Sequence, residues 1–204
     1  MSGSRFVRLG AGAFVEVFRN IPALIQIIFW AFAFPSLFGA DVRRAVFFDN
    51  VLWDAVRTLT GIPIPYYAVA ASVGLVLNTG AHLAEIFRAG AGSVPNQDVE
   101  AATMLGAGRW LVLSSIVIPG ALRSSFPAIT TRLIHNLKNT ALVSLVAVPD
   151  LFHAMQGAIS ESFRATELLT LTALSYLVLT AGLARLLALV DVRLHRGRDI
   201  RGAV

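Results

Sequence analysis

The chain has 204 residues, of which 56% are hydrophobic and 14% are charged. This composition excludes an ordinary soluble globular domain, and the length suffices for one membrane domain of several helices. The formal net charge is +5, but the arginines lie at the ends of apolar runs instead of forming a basic patch, which argues against nucleic-acid binding. The chain has no cysteine, so disulfides, cysteine-based zinc sites and thiol catalysis are excluded.

Residues 1–19 are expected to form a helix on the membrane surface. Apolar residues recur there at helical spacing, at Phe6, Leu9, Ala13 or Phe14, and Val17. Charged residues lie between them, at Arg5, Arg8 and Glu16. This alternation is typical of a helix that lies in the plane of the interface.

Four apolar stretches are long enough to cross a bilayer: residues 23–38, 66–87, 126–148 and 168–190. Residues 39–65 mix charged and aromatic side chains and end in prolines, which predicts an interfacial loop with a short amphipathic helix. In the second stretch, Gly74 and Gly80 predict close contacts between helices.

The arginines predict the orientation of these spans. Eleven lie on the side that holds both termini and residues 88–123, at Arg5, Arg8, Arg19, Arg88, Arg109, Arg123, Arg185, Arg193, Arg196, Arg198 and Arg201. Four lie on the other side, at Arg43, Arg44, Arg57 and Arg164. Because positive residues concentrate in cytoplasmic segments, both termini and the 88–123 segment are predicted to be cytoplasmic.

Polar residues interrupt two of the spans. In the second span three of them are spaced i, i+4 and i+7 and share one helix face, at Asn78, His82 and Glu85. In the third span four fall within about a third of the helix circumference, at Arg132, His135, Lys138 and Asn139. Two interpretations stay open for each group: a substrate site, or structural partners such as an ion pair between Glu85 and Arg88.

The segment between the second and third spans, EAATMLGAGRWLVLSSIVIP at residues 100–119, is longer than a simple turn. It predicts two short helices joined at residues 106–108 and stopped by Pro119. Ala101 and Ala102 keep one helix face thin enough for a partner's backbone to approach. Gly106 can adopt a positive φ at the break, and Pro119 lacks the amide that a continuing helix needs.

This spacing resembles the cytoplasmic EAA loop of ABC-importer permeases. Three further segments resemble polar-amino-acid permeases: FRNIPALIQIIFW, LNTGAHLAEIFRAG and NLKNTALVSLVAVPDL. The resemblance extends from about residue 14 to about residue 193, although Gln97 and Asn139 stand where the family more often has glycine and aspartate. It implies an all-α, type I (MetI-like) permease fold, with residues 1–204 as a single transmembrane permease domain and residues 88–123 as its cytoplasmic coupling loop.

The resemblance also implies a function and its residues. The chain is expected to be the transmembrane subunit of an ATP-driven importer that moves polar amino acids, or close relatives, across the bacterial inner membrane. The residues expected to couple it to the ATPase are Glu100, Ala101, Ala102, Gly106, Ile116 and Pro119. Those expected to bind substrate are Asn78, His82, Glu85, Lys138, Asn139 and Thr140, with Lys138 and Thr140 on the carboxylate and the first three on the ammonium group. The expected partners are ABC ATPase subunits that carry ATP-Mg, a second permease copy or a paralogue, and an extracytoplasmic substrate-binding protein.

Other functions find less support in the sequence. The chain has no Walker A motif, and its histidines show no metal-ligand spacing, so it is predicted to be neither an ATPase nor another enzyme and to hold no metal or cofactor. A secondary, ion-coupled transporter remains the alternative, because polar residues within spans would serve it too. Permeases of this family typically have five spans, and the first is missing here, which leaves a shortened permease, a misplaced start or a non-functional fragment. The substrate and the choice between homodimer and heterodimer stay open.

Overall fold

The computed structural model describes residues 5–49, 55, 58, 59, 61 and 65–199, with side chains up to residue 194. Every regular element within these residues is helical, which confirms the all-α prediction. We number the helices α1 to α8 in chain order: Arg5–Asn20, Ala23–Ser36, Ala40–Arg43, Tyr66–Gly92, Asn96–Met104, Arg109–Val146, Leu151–Ser162 and Ala165–Asp199.

Three of these helices are long and apolar enough to cross a membrane, namely Tyr66–Gly92, Arg109–Val146 and Ala165–Leu194. They correspond to the second, third and fourth predicted spans. The first predicted span is α2, whose 14 residues extend about 21 Å at the ordinary helical rise. It forms a bent pair with α1, and the two helix axes meet at 104°. The described residues therefore contain three spans, or four if this bent pair counts as one.

The near-perpendicular bend is compatible with α1 lying along the membrane surface while α2 enters the bilayer. Pro22 occupies the N-cap position of α2 with a φ of −55° and a ψ of 141°, so the chain leaves the helical conformation there. The placement of α1 on the surface remains a prediction.

The 39–65 segment begins as predicted with a short helix, α3, which continues as a π-helical turn over Arg44–Phe48. Most of residues 50–64 lie outside the described part of the chain, including the proline-rich end of the predicted loop.

Helix α6 corrects the prediction that Pro119 stops a helix. It runs without interruption from Arg109, so the third span begins well before residue 126. A π-helical turn, Leu113–Val117, lies just before the proline. Proline removes one backbone donor and crowds the preceding turn, and a wider turn with longer-range hydrogen bonds accommodates both effects within a membrane helix. The last turns of α6, Thr140–Val146, tighten into a 3₁₀ helix.

The core lies where α2, α4 and the end of α6 meet. Its buried residues are Ile27, Ala31, Ala70, Ala71, Leu75, Val143 and Val146. Tyr66 in α4 also donates a hydrogen bond to the carbonyl of Trp30, at 2.6 Å. This carbonyl belongs to the π turn of α2, Phe29–Ala33, so an irregular turn is stabilised by a side chain from the next helix.

Two glycines of α4 allow the helices to approach closely. A Cβ atom at Gly74 would lie 3.0 Å from the backbone nitrogen of Ile27, so α2 packs directly on the α4 backbone. A Cβ atom at Gly90 would lie 2.7 Å from the carbonyl oxygen of Ala121 in α6. The prediction for Gly74 agrees with this packing, whereas a Cβ at Gly80 would meet nothing within 4 Å, so Gly90 makes the second close contact.

Candidate functional site

The polar face of α4 contacts the bend between α1 and α2. The amide nitrogen of Asn78 donates to the carbonyl oxygens of Phe18 and Ile21, at 3.0 and 3.2 Å. The amide nitrogen of Gln26 donates to the same two oxygens, at 2.8 and 2.9 Å. Carbonyl groups at the end of a helix have no hydrogen-bond donors within that helix. At this bend the buried side-chain amides of Asn78 and Gln26 are the donors. Asn78 is therefore a structural residue in this conformation.

The other two predicted residues on this face also have partners within the chain. His82 lies with its Nδ1 atom 2.8 Å from the carbonyl oxygen of Asn78, one turn earlier in α4, so this ring nitrogen carries the proton and donates it. Glu85 forms ion pairs with Arg88, one turn later, and with Arg19 of α1, at 3.5 Å. The three side chains lie along one seam, and each has a contact that a substrate would have to displace.

A polar seam joins α4 to α6. Arg132 donates from Nη2 to the side-chain oxygen of Asn78, while its Nη1 lies 3.5 Å from Nδ1 of His135. Its Nε is buried and has no hydrogen-bond partner among the described residues. Thr79 donates to the side-chain oxygen of Asn136 at 2.7 Å, and the amide of Asn139 lies 3.3 Å from His135.

Arg132 was not among the predicted substrate residues, although the sequence places it on the polar face of the third span. The available signal was its helical periodicity with His135 and Asn139. The sequence favours Lys138 instead, because it is a cation within a span that can bind a carboxylate, and because it lies in a segment that resembles the permease family. In the structure, Arg132 is the cation of α6 that faces α4.

Lys138 faces a different side of α6, about 120° from Arg132 by helical geometry. It lines a crevice of about 300 Å³ with residues of α7 and α8, among them Phe152, Thr172 and Tyr176. The side-chain ammonium of Lys138 forms no hydrogen bond or ion pair with any residue that the structure describes. Thr140 donates to the carbonyl of Leu137 at 2.7 Å. Of the six predicted substrate residues, Asn78, His82 and Glu85 thus lie on the α4 seam, Asn139 lies beside His135, and Lys138 lines this crevice.

The predicted coupling residues lie on the exposed segment between α4 and α6 and, for Ile116 and Pro119, in the first turns of α6. Gly106 has a φ of +83°, as predicted for the break between two helices. Glu100 and Ala101 are exposed, whereas Ala102, Ile116 and Pro119 are half-buried.

Three large apolar side chains are exposed at the end of α5 and at the start of α6. Met104 is 87% exposed, Leu105 89% and Trp110 81%. Apolar residues gathered on one exposed surface indicate a site of association. Behind the loop, a cavity of about 460 Å³ lies between the end of α4, the start of α5 and the first turns of α6; Asp98 and Arg123 are among its lining residues.

Helix α5 begins without a side-chain cap. Asn96 is the first residue of the helix, and the N-cap position is occupied by Pro95, which makes no side-chain hydrogen bond. Asp98 lies in the first turn, where its negative charge interacts favourably with the positive end of the helix dipole. Among the described residues, no group of histidine, aspartate and glutamate side chains is arranged to hold a metal ion.

Known proteins resemble this chain in sequence and in fold. It is 30% identical over 181 residues to the glutamine transport system permease protein GlnP of Escherichia coli strain K12. This alignment covers 89% of this chain and 73% of that protein. It is 33% identical over 183 residues to the octopine transport system permease protein OccM of Rhizobium radiobacter, covering 90% and 69%. A crystal structure of an amino acid ABC transporter with histidines superposes with a TM-score of 0.71 at 27% identity, covering 95% of this chain and 79% of that one.

The model of a protein family described as "Binding-protein-dependent transport system inner membrane component" matches residues 1–196. The predicted multi-pass membrane fold of an importer permease is thereby confirmed. The chain belongs to the family of inner-membrane components of binding-protein-dependent transport systems.

Proposed function

We propose that this chain is the transmembrane subunit of an ATP-driven importer of polar amino acids or close relatives. The observation that carries the proposal is the exposed loop from Asn96–Met104 to the start of α6, which presents apolar side chains and a positive-φ glycine between two spans. A secondary transporter has no use for such a surface. The curated relatives GlnP and OccM, named for glutamine and octopine transport, support an amino-acid-like substrate.

The loop is the proposed docking site for the ATPase. Glu100, Ala101, Ala102, Gly106, Ile116 and Pro119 form the coupling residues, and the exposed Met104, Leu105 and Trp110 supply apolar contact area. ATP-Mg binds to the ATPase subunits and not to this chain. Closure of two such ATPases brings the coupling loops of two permease subunits together and favours the outward-facing state.

The proposed orientation puts both termini and the 88–123 loop in the cytoplasm of a bacterial cell. The excess of arginines on that side supports it. An extracytoplasmic binding protein then delivers substrate to the opposite face, and a second copy or a paralogous permease completes the pathway.

For the substrate we propose that Lys138, with Thr140, binds the carboxylate. The support is that Lys138 lies within a span and has no intrachain partner among the described residues. Roles for Asn78, His82 and Glu85 on the ammonium group belong to another conformation, because in this one each makes an intrachain contact. Asn139 lies between the two groups and is held by His135.

Reconstitution tests the proposal. The permease is co-purified with its ATPase, placed in proteoliposomes, and supplied with binding protein and radiolabelled glutamine or glutamate. We expect uptake that requires ATP and an ATPase rate that rises with loaded binding protein. Uptake driven by an ion gradient without ATP would overturn the importer mechanism in favour of the secondary transporter.

A further inference from the structure

Helix α1 is amphipathic, and the described part of the chain leaves much of its apolar surface uncovered. Its charged residues all fall within about a third of the helix circumference at 100° per residue, namely Arg5, Arg8, Glu16 and Arg19. The remaining two thirds carry mainly aromatic and aliphatic side chains. Phe6 is 83% exposed and Val7 is 66% exposed, and no residue of the helix is buried. An exposed apolar surface of this kind indicates contact with something outside the chain.

The joint between α1 and α2 determines what α1 can contact. The two helix axes meet at 104°, so α1 runs nearly parallel to the membrane plane when α2 is inserted in the bilayer. The side-chain amides of Asn78 and Gln26 hold the carbonyl groups at this joint, and Arg19 pairs with Glu85 of α4 at 3.5 Å. These contacts tie α1 to a span at the level where α2 begins. An amphipathic helix in this position lies with its apolar face against lipid.

The arginines of α1 differ in what they contact. Arg19 is paired with Glu85. Arg5 and Arg8 are exposed and form no ion pair with any acidic residue that the structure describes. The acid of α1, Glu16, lies about two turns from Arg8 and about three turns from Arg5. Two unpaired cations thus border the exposed apolar face at the start of the helix.

We propose that α1 binds anionic phospholipids of the bilayer, with Arg5 and Arg8 at the headgroups and Phe6, Val7 and Val17 at the acyl chains. Interfacial helices bind by burying their apolar face at the boundary between headgroups and acyl chains, and positive residues on the polar face add attraction to anionic lipids. Charge complementarity favours this occupant over a second copy of the chain, whose α1 would present the same positive charges. One arginine near an anionic surface strengthens binding roughly fivefold. The lipid would be bound whatever the chain transports.

Brominated lipids test which lipid contacts α1. A cysteine introduced at Ala13, which is exposed on the apolar part of the helix, is labelled with bimane in the purified full chain; the chain has no native cysteine. Nanodiscs are prepared from phosphatidylglycerol and phosphatidylcholine, with only one of the two lipids brominated in each preparation. Quenching by each lipid gives the ratio of anionic to zwitterionic lipid at α1, relative to their ratio in the disc. We expect an anionic preference of about fivefold to 25-fold, because two arginines contribute.

Substitutions in the labelled chain test the role of charge. Arg5→Gln and Arg8→Gln should each lower the preference by up to about fivefold. Glu16→Gln keeps an acceptor oxygen for Asn20 but removes the negative charge, so it should raise the preference. Arg43→Gln is the control, because it removes an exposed arginine from α3, which follows the other end of α2, and it should leave the preference unchanged.

Equal quenching by the two brominated lipids in the labelled chain overturns the recognition of anionic lipid, and so does an unchanged preference in both arginine variants of α1. A fall in Arg43→Gln as large as that in Arg5→Gln shows that the net charge of the protein sets the preference, and overturns the role of α1. Absence of quenching by either lipid overturns the lipid contact itself and indicates that a protein surface, such as a second copy of this chain, covers the helix.

Discussion

Substitution of Gly90 tests the packing of α4 against α6. In Gly90→Ala the new Cβ would lie 2.7 Å from the carbonyl oxygen of Ala121 and would overlap the hydroxyl oxygen of Ser125. The serine side chain can rotate, but a helix backbone oxygen cannot move without shifting α6. Rotation of Ser125 also breaks the hydrogen bond that it donates to the carbonyl of Ile86, at 3.1 Å.

The magnitude comes from opposing effects. Overpacking in a well-packed interface costs about 1–3 kcal/mol, and loss of one hydrogen bond costs about 1 kcal/mol. Replacement of glycine by alanine inside a helix gains about 1 kcal/mol. We therefore expect Gly90→Ala to lower the free energy of unfolding by about 1–3 kcal/mol.

Gly80→Ala is the matched control. It lies in the same helix, and its Cβ would meet nothing within 4 Å, so the helix-propensity gain of up to about 1 kcal/mol stands alone. Unfolding of both variants in mixed detergent micelles, followed by circular dichroism, gives the two values. If Gly90→Ala proves as stable as Gly80→Ala, the close approach of α4 to α6 is not present in the folded protein.

Three further predictions concern coupling, topology and substrate. Gly106→Val should leave the protein inserted but separate ATP hydrolysis from uptake, because a β-branched residue is strained at a φ of +83°; Gly108→Val, at a φ of −65°, should couple normally, and equal uptake by both variants would contradict the coupling role. Cysteines introduced at Gly12 and Asp41 can be labelled without background, since the chain has none; an impermeant maleimide should label Asp41→Cys in intact cells and Gly12→Cys after permeabilisation, and the reverse pattern would invert the topology. Lys138→Met should weaken binding of amino acids at least tenfold while expression and basal ATPase activity persist, whereas unchanged affinity would exclude the lysine from the site.

Some of the fold could be predicted from sequence because it depends on local chemistry. The positive φ of Gly106 follows from its place between two short helices, and the spans from their hydropathy. The family could be recognised because the spacing of the EAA segment is a local pattern.

What could not be predicted depends on which helix lies opposite. Periodicity gave the polar face of α6, but only the packing of α4 shows that Arg132 faces Asn78 while Lys138 faces α7 and α8. Gly80 and Gly90 are both glycines of the same helix, and sequence alone does not distinguish them. The neighbouring helix decides which of the two makes a close contact. The helix end predicted at Pro119 was wrong. A π turn, which hydropathy does not reveal, lets the helix continue although the proline has no N–H donor.

The shortness of α2 has a consequence for the surrounding lipid. A helix of about 21 Å leaves roughly 9 Å of a typical 30 Å hydrocarbon layer unmatched. Tilting would enlarge the deficit, and the amides of Asn78 and Gln26 hold the bend with α1 in place. Ile25, Ile28, Phe29 and Phe32 face outward, and where acyl chains meet them, local thinning of the bilayer is one way to match the helix. Bilayers of shorter acyl chains therefore match α2 more closely than bilayers of ordinary thickness do.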